Sequence, residues 1–208
     1  MKKILFVTIA AFIFLQGYSQ TSIGVKAGLN RANEKLSNKV YSSQSHPFFC
    51  GGLFGNFSLS KNFAIDASLL FSGEGYKESF TSNGTKVTGV VTINRFNIPL
   101  LLQYKTPSGF FAQTGPQAGF LLSAKGKYTN NPNTFNFKSN TNSLLFSWCI
   151  GAGYKLTKAV PGLGIEAVYA PGLSRVNKST ANAGKITATN FSIRLFYGFT
   201  IKHKNTKQ

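Results

Sequence analysis

Residues 93–125 constrain the fold of this chain more than any other part of its sequence. Two long runs, residues 93–105 and 110–125, alternate apolar side chains with small or polar ones, and a Thr-Pro-Ser-Gly segment joins them. Alternating side chains line opposite faces of a β-strand, and a short connection with Pro and Gly is typical of a β-hairpin. Each run exceeds a usual globular strand of about five or six residues and is long enough to cross a bilayer, which takes about 9–11 tilted residues.

The two faces of this predicted hairpin differ in polarity. Arg95, Asn97 and Gln103 share one face of the first strand, whereas the other face is apolar and aromatic. The apolar face continues in other strands, and the side chains predicted to face lipid are Leu69, Phe96, Ile98, Leu100, Leu102, Trp148, Ile193 and Leu195. An outward apolar band of this kind is what a membrane-spanning barrel requires.

The same alternating unit recurs along the chain. Eight strands are predicted, at residues 22–30, 48–59, 63–72, 93–105, 110–125, 143–156, 163–173 and 191–201. Their connections alternate strictly between long and short, and the long ones are residues 31–47, 73–89, 126–142 and 175–189. Short turns at one end and long loops at the other are typical of outer-membrane barrels. The sequence therefore predicts an all-β fold, an eight-stranded antiparallel up-and-down transmembrane β-barrel in the outer membrane of a Gram-negative bacterium, with both chain termini in the periplasm.

Residues 1–19 have the composition of an export signal. Lys2 and Lys3 precede a mostly apolar run, residues 4–15, and small residues at 17 and 19 lie before a cut at Gln20. The alternative, an N-terminal anchor helix, is disfavoured because a spanning helix needs about 20 apolar residues. Residues 1–19 are therefore predicted to be a signal peptide, and residues 20–208 the barrel domain.

Aromatic residues are predicted to form girdles at the two ends of the barrel wall. In the predicted topology most of them lie near the periplasmic ends of their strands, and one, Tyr169, lies near an outer end. The predicted girdle residues are Phe57, Phe63, Tyr104, Phe110, Tyr154, Tyr169 and Phe199. Two aromatic levels around an aliphatic band match the two interfaces of a bilayer.

Four charged residues in the middle of strands are predicted to point into the lumen. They are Asp66, Arg95, Glu166 and Arg194, two of each sign, and the alternation places all four on the polar face. Because the charges balance, the sequence predicts an internal ion-pair network rather than a charged channel. The lumen of an eight-stranded barrel is just wide enough for its own side chains to fill.

The formal net charge of +18 narrows the class of partner. Nucleic acid is excluded as a partner because the chain is predicted to be exported and shows no stripe of Lys and Arg with interleaved aromatics. Outer-membrane lipid and lipopolysaccharide are the expected partners, since basic outer loops attract phosphate groups. Other envelope or secretion proteins are further candidates.

No motif for catalysis, a cofactor or a metal is found, so the chain is predicted not to be an enzyme. The only candidates at the outer rim are His46 with Glu74 and Glu78, and they lack an assignable nucleophile. Cys50 and Cys149 are interpreted as small semi-buried residues, with a disulfide between them as the alternative.

A second function class is a soluble exported barrel that binds an apolar ligand inside, as lipocalins do. Such a barrel has its apolar face inside. The face opposite the aromatic one here carries Asp66, Arg95, Glu166 and Arg194. The polar face is therefore expected to be internal, which disfavours the soluble barrel.

Four segments resemble the PorT-like outer-membrane β-barrel family of Bacteroidetes: GVKAGLN at residues 24–30, FNIPLLLQY at 96–104, GFFAQTGPQAGFLLSAK at 109–125 and IGAGYKL at 150–156. The resemblance covers nearly the whole mature chain and implies an eight-stranded outer-membrane barrel. The family's namesake is associated with protein secretion, but most members have no assigned activity, so the resemblance implies a fold rather than an activity. The chain departs from the usual pattern of such barrels after Phe199, where Thr200, Ile201 and a basic tail follow the last aromatic residue.

Overall fold

The computed structural model of the protein describes residues 21–35, 42–82, 85–129, 131–156, 160–178 and 187–201. The predicted signal peptide lies outside the described residues. The strands are β1 (Thr21–Lys35), β2 (Ser42–Ser45), β3 (Pro47–Ser58), β4 (Phe63–Ser82), β5 (Thr85–Lys105), β6 (Phe110–Tyr128), β7 (Asn131–Asn136), β8 (Leu144–Lys155), β9 (Leu163–Pro171) and β10 (Thr187–Ile201). A single turn of 3₁₀-helix, Lys138–Asn140, precedes β8.

Eight of these strands close into a ring. The order around the ring is β3, β1, β10, β9, β8, β6, β5 and β4, and β4 pairs with β3 to complete it. All pairs are antiparallel, and the first and last strands, β1 and β10, pair along their whole length from Thr21 opposite Ile201 to Lys35 opposite Thr187. The predicted eight-stranded up-and-down barrel is confirmed.

The two ends of the barrel differ in the length of their connections. At the end that holds Thr21 and Ile201, short turns join β3 to β4, β5 to β6 and β8 to β9, and we call this the short-turn end. In the turn after β5, Thr106 donates its N–H to the Phe110 carbonyl, and Gly109 adopts a φ of 101°, which an L side chain rarely takes. The opposite end, which carries the other connections, is the long-loop end.

The predicted loop boundaries at the long-loop end are wrong. The sequence predicts a loop over residues 73–89, but β4 runs to Ser82 and β5 starts at Thr85. Ser82 and Thr85 lie opposite each other in the β4–β5 pair. β1 extends to Lys35, and the short strands β2 and β7 fall inside predicted loops. The physical reason is the β-branched content of residues 85–92, where Thr and Val favour an extended chain despite the polar composition.

As a result, β4, β5 and β6 extend beyond the ring and form a protruding sheet. Phe71, Phe96 and Phe120 face each other across these three strands and form an outward aromatic row. We call the part of β4–β6 beyond this row the strand arm. Inside the arm, a small core packs Val91, Ile93, Leu121 and Ala124 against Tyr76 and Phe137. β2 pairs with β4 and β7 with β6, so the arm has a strand on each side.

The outer surface of the ring is apolar. The eight side chains predicted to face lipid all lie on this surface, with 41 to 57 % of each side chain exposed. The aromatic residues near the short-turn end form contacting pairs: the ring centroids of Phe63 and Tyr104 lie 5.3 Å apart, and those of Phe110 and Tyr154 lie 4.7 Å apart. Phe57, Phe199 and Tyr169 are also exposed on the outer surface.

Side chains project into the interior in layers. Nearest the short-turn end, Phe54, Phe111 and Phe196 pack edge to face, and we call them the phenyl layer. Each of these rings lies over a glycine directly opposite on the neighbouring strand: Gly24, Gly153 and Gly164, respectively. A methyl group at any of the three glycines would overlap the ring that covers it. The glycines thus make room for bulky rings inside a narrow barrel.

Candidate functional site

An ion cluster lies directly above the phenyl layer. The Lys26 ammonium is 2.9 Å from Asp66 Oδ1 and 3.2 Å from Glu166 Oε1, and Arg194 Nε is 2.9 Å from the same Glu166 oxygen. We call these four residues the ion quartet. All four are at most 5 % exposed. Two cations and two anions balance, so the quartet is neutral as a whole.

Both carboxylates of the quartet accept further hydrogen bonds. Ser68 donates its hydroxyl to Asp66 at 2.8 Å, and the Gln113 amide donates to Glu166 at 3.0 Å. The Lys26 ammonium also lies 4.9 Å from the centre of the Phe54 ring, within the range of a cation–π contact. A buried charge is tolerated when it is paired and hydrogen-bonded in this way.

A second ion pair lies nearer the long-loop end. Arg95 Nε is 3.4 Å from Glu74 Oε2, and Glu74 also accepts hydrogen bonds from Asn97 and Ser72 at 3.3 and 3.2 Å. An apolar cluster of Leu101, Cys149, Val168 and Ala170 is also buried in the lumen.

The structure divides the predicted network of Asp66, Arg95, Glu166 and Arg194 into two. Asp66, Glu166 and Arg194 meet in the quartet, whereas Arg95 pairs with Glu74. Lys26 and Glu74 are not part of the predicted network, although the alternation carries the signal for both. Lys26 has the parity opposite to the apolar face of β1, and Glu74 continues the inward series of Asp66, Ser68 and Ser72. Glu74 falls in a predicted loop because the predicted strand ends at residue 72, whereas β4 continues to Ser82.

Of the three rim candidates, His46 and Glu74 contact other residues, and the side chain of Glu78 lies outside the described part of the chain. Glu74 is buried in the lumen on Arg95, and the ring of His46 packs against Phe48 at a centroid distance of 5.2 Å. Cys50 and Cys149 are both buried as free thiols, so the alternative of a disulfide between them is wrong. In the described part of the chain, no group of three or more His, Cys, Asp or Glu side chains is arranged to hold a metal ion.

A basic patch lies on the outside of the strand arm. Lys77 and Lys127 flank Val90 in the strand register, and Lys125 lies two residues before Lys127 on the same face. All three lysines are exposed. Adjacent strands are about 4.8 Å apart and residues two apart on a strand about 7 Å, so the three lysines have backbone spacings of roughly 7 to 12 Å. We call them the outer basic patch.

The ring is closed and antiparallel, its outer surface is apolar, aromatic pairs lie at its short-turn end and charges are paired in its lumen. These features define an integral outer-membrane β-barrel protein. In the described ranges, no helix is long and apolar enough to span a membrane. The chain belongs to the outer membrane protein beta-barrel domain family, whose model matches residues 16–178. This membership supports a location in the outer membrane. No curated protein matches the sequence.

Solved structures with the same fold include neisserial surface protein A, which is 12 % identical with a TM-score of 0.53 and aligns over 86 % of this chain and 99 % of its own. The attachment invasion locus protein Ail of Yersinia pestis is 13 % identical, with a TM-score of 0.46 over 87 % of this chain and 99 % of its own. The protein OprG from Pseudomonas aeruginosa is 12 % identical, with a TM-score of 0.44 over 89 and 99 %. At 12 % identity, the likeness to neisserial surface protein A concerns the fold alone.

Proposed function

We propose that this outer-membrane barrel acts without catalysis, as a surface protein that binds phosphate groups of lipopolysaccharide through the outer basic patch. The long-loop end then faces the outside of the cell, and both chain termini face the periplasm. The observation that carries this proposal is the position of Lys77, Lys125 and Lys127 on the outer side of the strand arm, beyond the aromatic row.

The height of the patch fits this role. Lys77 follows Phe71 by six residues on β4, a distance of about 20 Å along the strand at 3.3 Å per residue, and less along the barrel axis because strands tilt. The aromatic row of Phe71, Phe96 and Phe120 would lie at the outer interface of the membrane. The lysines therefore lie above the hydrocarbon, where charged headgroup phosphates and sugars are found.

The charge distribution supports an anionic partner. The chain has only five acidic residues, and three of them, Asp66, Glu74 and Glu166, are buried in the lumen. The basic excess is therefore carried by residues outside the balanced lumen. Lysines on an exposed surface with few carboxylates attract phosphate, and that attraction weakens as salt rises.

Two further observations support the remaining parts of the proposal. The absence of catalysis is supported by Glu74, which is committed to Arg95 rather than to His46. A PorT-like assignment within the family is supported by the IPLLL and GPQAGFLLSA sequences, which lie in β5 and β6.

Binding of purified lipopolysaccharide to the detergent-folded protein tests the proposal. The patch variant is Lys77→Gln, Lys125→Gln and Lys127→Gln, and the matched control is Lys138→Gln, Arg175→Gln and Lys178→Gln, which removes three exposed charges from the same end. The patch variant should lose most of the bound lipopolysaccharide, and the control should keep it. Equal retention by both variants, or equal loss from both, would overturn the assignment of the patch.

Cysteine labelling tests the orientation separately. Ser139 lies in the 3₁₀-helix at the long-loop end and Ser108 in the turn after β5, and both are exposed, whereas the native thiols are buried. A maleimide too large for porins should label Ser139→Cys in intact cells, and should label Ser108→Cys only after the outer membrane is permeabilised. The reverse result would invert the barrel and rule out contact of the patch with the outer leaflet.

A further inference from the structure

A cavity opens at the short-turn end, on the far side of the molecule from the outer basic patch. It holds about 180 Å³ and runs from the strand ends to the ion quartet. Its rim includes Ser22, Lys105, Lys155 and Thr200. The phenyl layer, Phe54, Phe111 and Phe196, forms its apolar wall. The cavity therefore combines an aromatic lining with two cationic side chains at the mouth.

Among the residues that the structure describes, no acidic side chain pairs with the two lysines at the mouth. Lys105 donates from Nζ to the Ser58 hydroxyl at 2.9 Å, and Lys155 lies at the end of β8. The five acidic side chains of the sequence are all accounted for elsewhere. Asp66, Glu74 and Glu166 are ion-paired in the lumen, and Glu34 and Glu78 belong to the parts of β1 and β4 at the long-loop end.

The charge inside the cavity is consequently positive. The ion quartet at its inner end is neutral, because Lys26 and Arg194 balance Asp66 and Glu166. Lys105 and Lys155 add two charges that nothing in the described part of the cavity offsets. They end strands on either side of β6 and its turn, so their backbones are separated by about two strand spacings, or roughly 10 Å. That separation lets both ammonium groups approach one bound anion from opposite sides.

The volume sets the size of the ligand. A buried apolar cavity of about 150 Å³ is large enough to hold benzene. A cavity of 180 Å³ accepts one aromatic ring with a small substituent and excludes a lipid acyl chain.

We propose that the cavity at the short-turn end binds a small organic anion, a carboxylate or sulfonate attached to a single ring or a short alkyl group. The ring packs against Phe54, Phe111 and Phe196, where edge-to-face contacts are favourable. The anionic group lies at the mouth between Lys105 and Lys155, and the Ser22 and Thr200 hydroxyls line the same cavity. This site is separate from the outer basic patch and does not depend on it.

A titration of 4-fluorobenzoate followed by ¹⁹F NMR tests this site in the full mature chain, folded in zwitterionic detergent. Binding should be saturable and absent from empty micelles. The variant Lys105→Gln with Lys155→Gln should weaken binding by about tenfold or more, since two charge-assisted contacts are lost. The matched variant Arg175→Gln with Lys178→Gln removes the same charge from the long-loop end and should bind as the unmodified chain does. Ser22→Phe, which keeps both lysines and fills the mouth, should also abolish binding.

The unmodified chain provides a test that does not depend on the folding of any variant. It should bind 4-fluorobenzoate more tightly than the neutral 4-fluorobenzamide, and added salt should reduce this preference. Equal binding of the two compounds, non-saturable uptake equal to that of empty micelles, or unchanged affinity in the double glutamine variant would each overturn the proposal.

Discussion

Among single residues in the lumen, Glu166 is the carboxylate with two counter-ions, as Lys26 is the cation with two. Its carboxylate contacts both Lys26 and Arg194 and accepts a hydrogen bond from Gln113, and it is 1 % exposed. Buried ion pairs add little net stability compared with apolar packing, but removal of one partner leaves an uncompensated charge. The lumen therefore depends more on Glu166 than on Asp66 or Arg194, which each contact one counter-ion.

The change Glu166→Gln should destabilise the barrel by about 3–5 kcal/mol, because Lys26 would keep only Asp66 and Arg194 would lose its carboxylate partner. The free energy can be measured by urea unfolding in lipid vesicles. Adding Arg194→Met to Glu166→Gln should recover part of the loss, because it removes the cation left without a carboxylate and keeps the pair of Lys26 with Asp66. An unfolding midpoint unchanged by Glu166→Gln would show that the quartet contributes nothing to stability.

The phenyl layer gives a second prediction at this scale. A methyl group at Gly164 would overlap the Phe196 ring and lie 2.6 Å from the Tyr154 carbonyl oxygen, whereas at Gly198 the nearest atom, in the Phe54 ring, is 3.1 Å away. Gly164→Ala should therefore cost about 1–3 kcal/mol through overpacking, and Gly198→Ala should cost less. The two variants make the same chemical change on the lumenal face. Equal unfolding midpoints in urea would therefore contradict the close packing of the Phe196 side chain on Gly164.

The sequence predicts which way a side chain points better than which partner it meets. Alternation alone placed Asp66, Arg95, Glu166 and Arg194 on the inner face, where the structure finds them buried. It did not pair Arg95 with Glu74, because the partner of a lumenal charge depends on the register between strands, which alternation does not contain.

At the scale of strands, the β4–β5 hairpin is longer than the sequence predicts. Ser82 and Thr85 pair, so only two residues, Asn83 and Gly84, separate the strands. An Asn-Gly pair flanked by alternating apolar residues is the strongest short hairpin signal, but the residues before it here, 77–82, are mostly polar, so the local pattern favours a loop. Polar residues on both faces are acceptable here since the strand arm extends past the aromatic row into water.

The outward face of β5 gives a prediction at this scale. Leu100→Arg places a charge in the apolar band and should cost about 2–4 kcal/mol if that band spans the bilayer midplane. Leu173→Arg is the matched control, because Leu173 is similarly exposed, at 59 % against 51 %, but lies beyond the end of β9. It should cost about 0–1 kcal/mol, as near an interface. Unfolding in lipid vesicles compares the two, and equal costs would contradict a membrane contact along β5.

For the whole molecule, closure of the ring gives the fold its cooperativity. β10 pairs with β1 along its whole length and with β9 over residues 189–197, so the middle of β10 belongs to ladders on both sides. In a bilayer, an open edge leaves backbone groups without hydrogen bonds, which costs several kcal/mol per group. The strand arm is different, because it projects beyond the ring and its hydrogen bonds can be replaced by water.

This difference predicts opposite results from one substitution at two places. Leu195→Pro removes a backbone donor from the middle of β10 and should prevent the closed barrel from forming, since proline is excluded from central strands. Val90→Pro makes the equivalent change in the strand arm and should leave the ring intact. A closed barrel migrates differently on a gel before and after boiling, so the Val90 variant should keep this shift and the Leu195 variant should lose it. Retention of the shift by Leu195→Pro would mean that the pairing of β10 with β1 and β9 is not required for closure, and loss of it by Val90→Pro would mean that the arm is part of the folding unit.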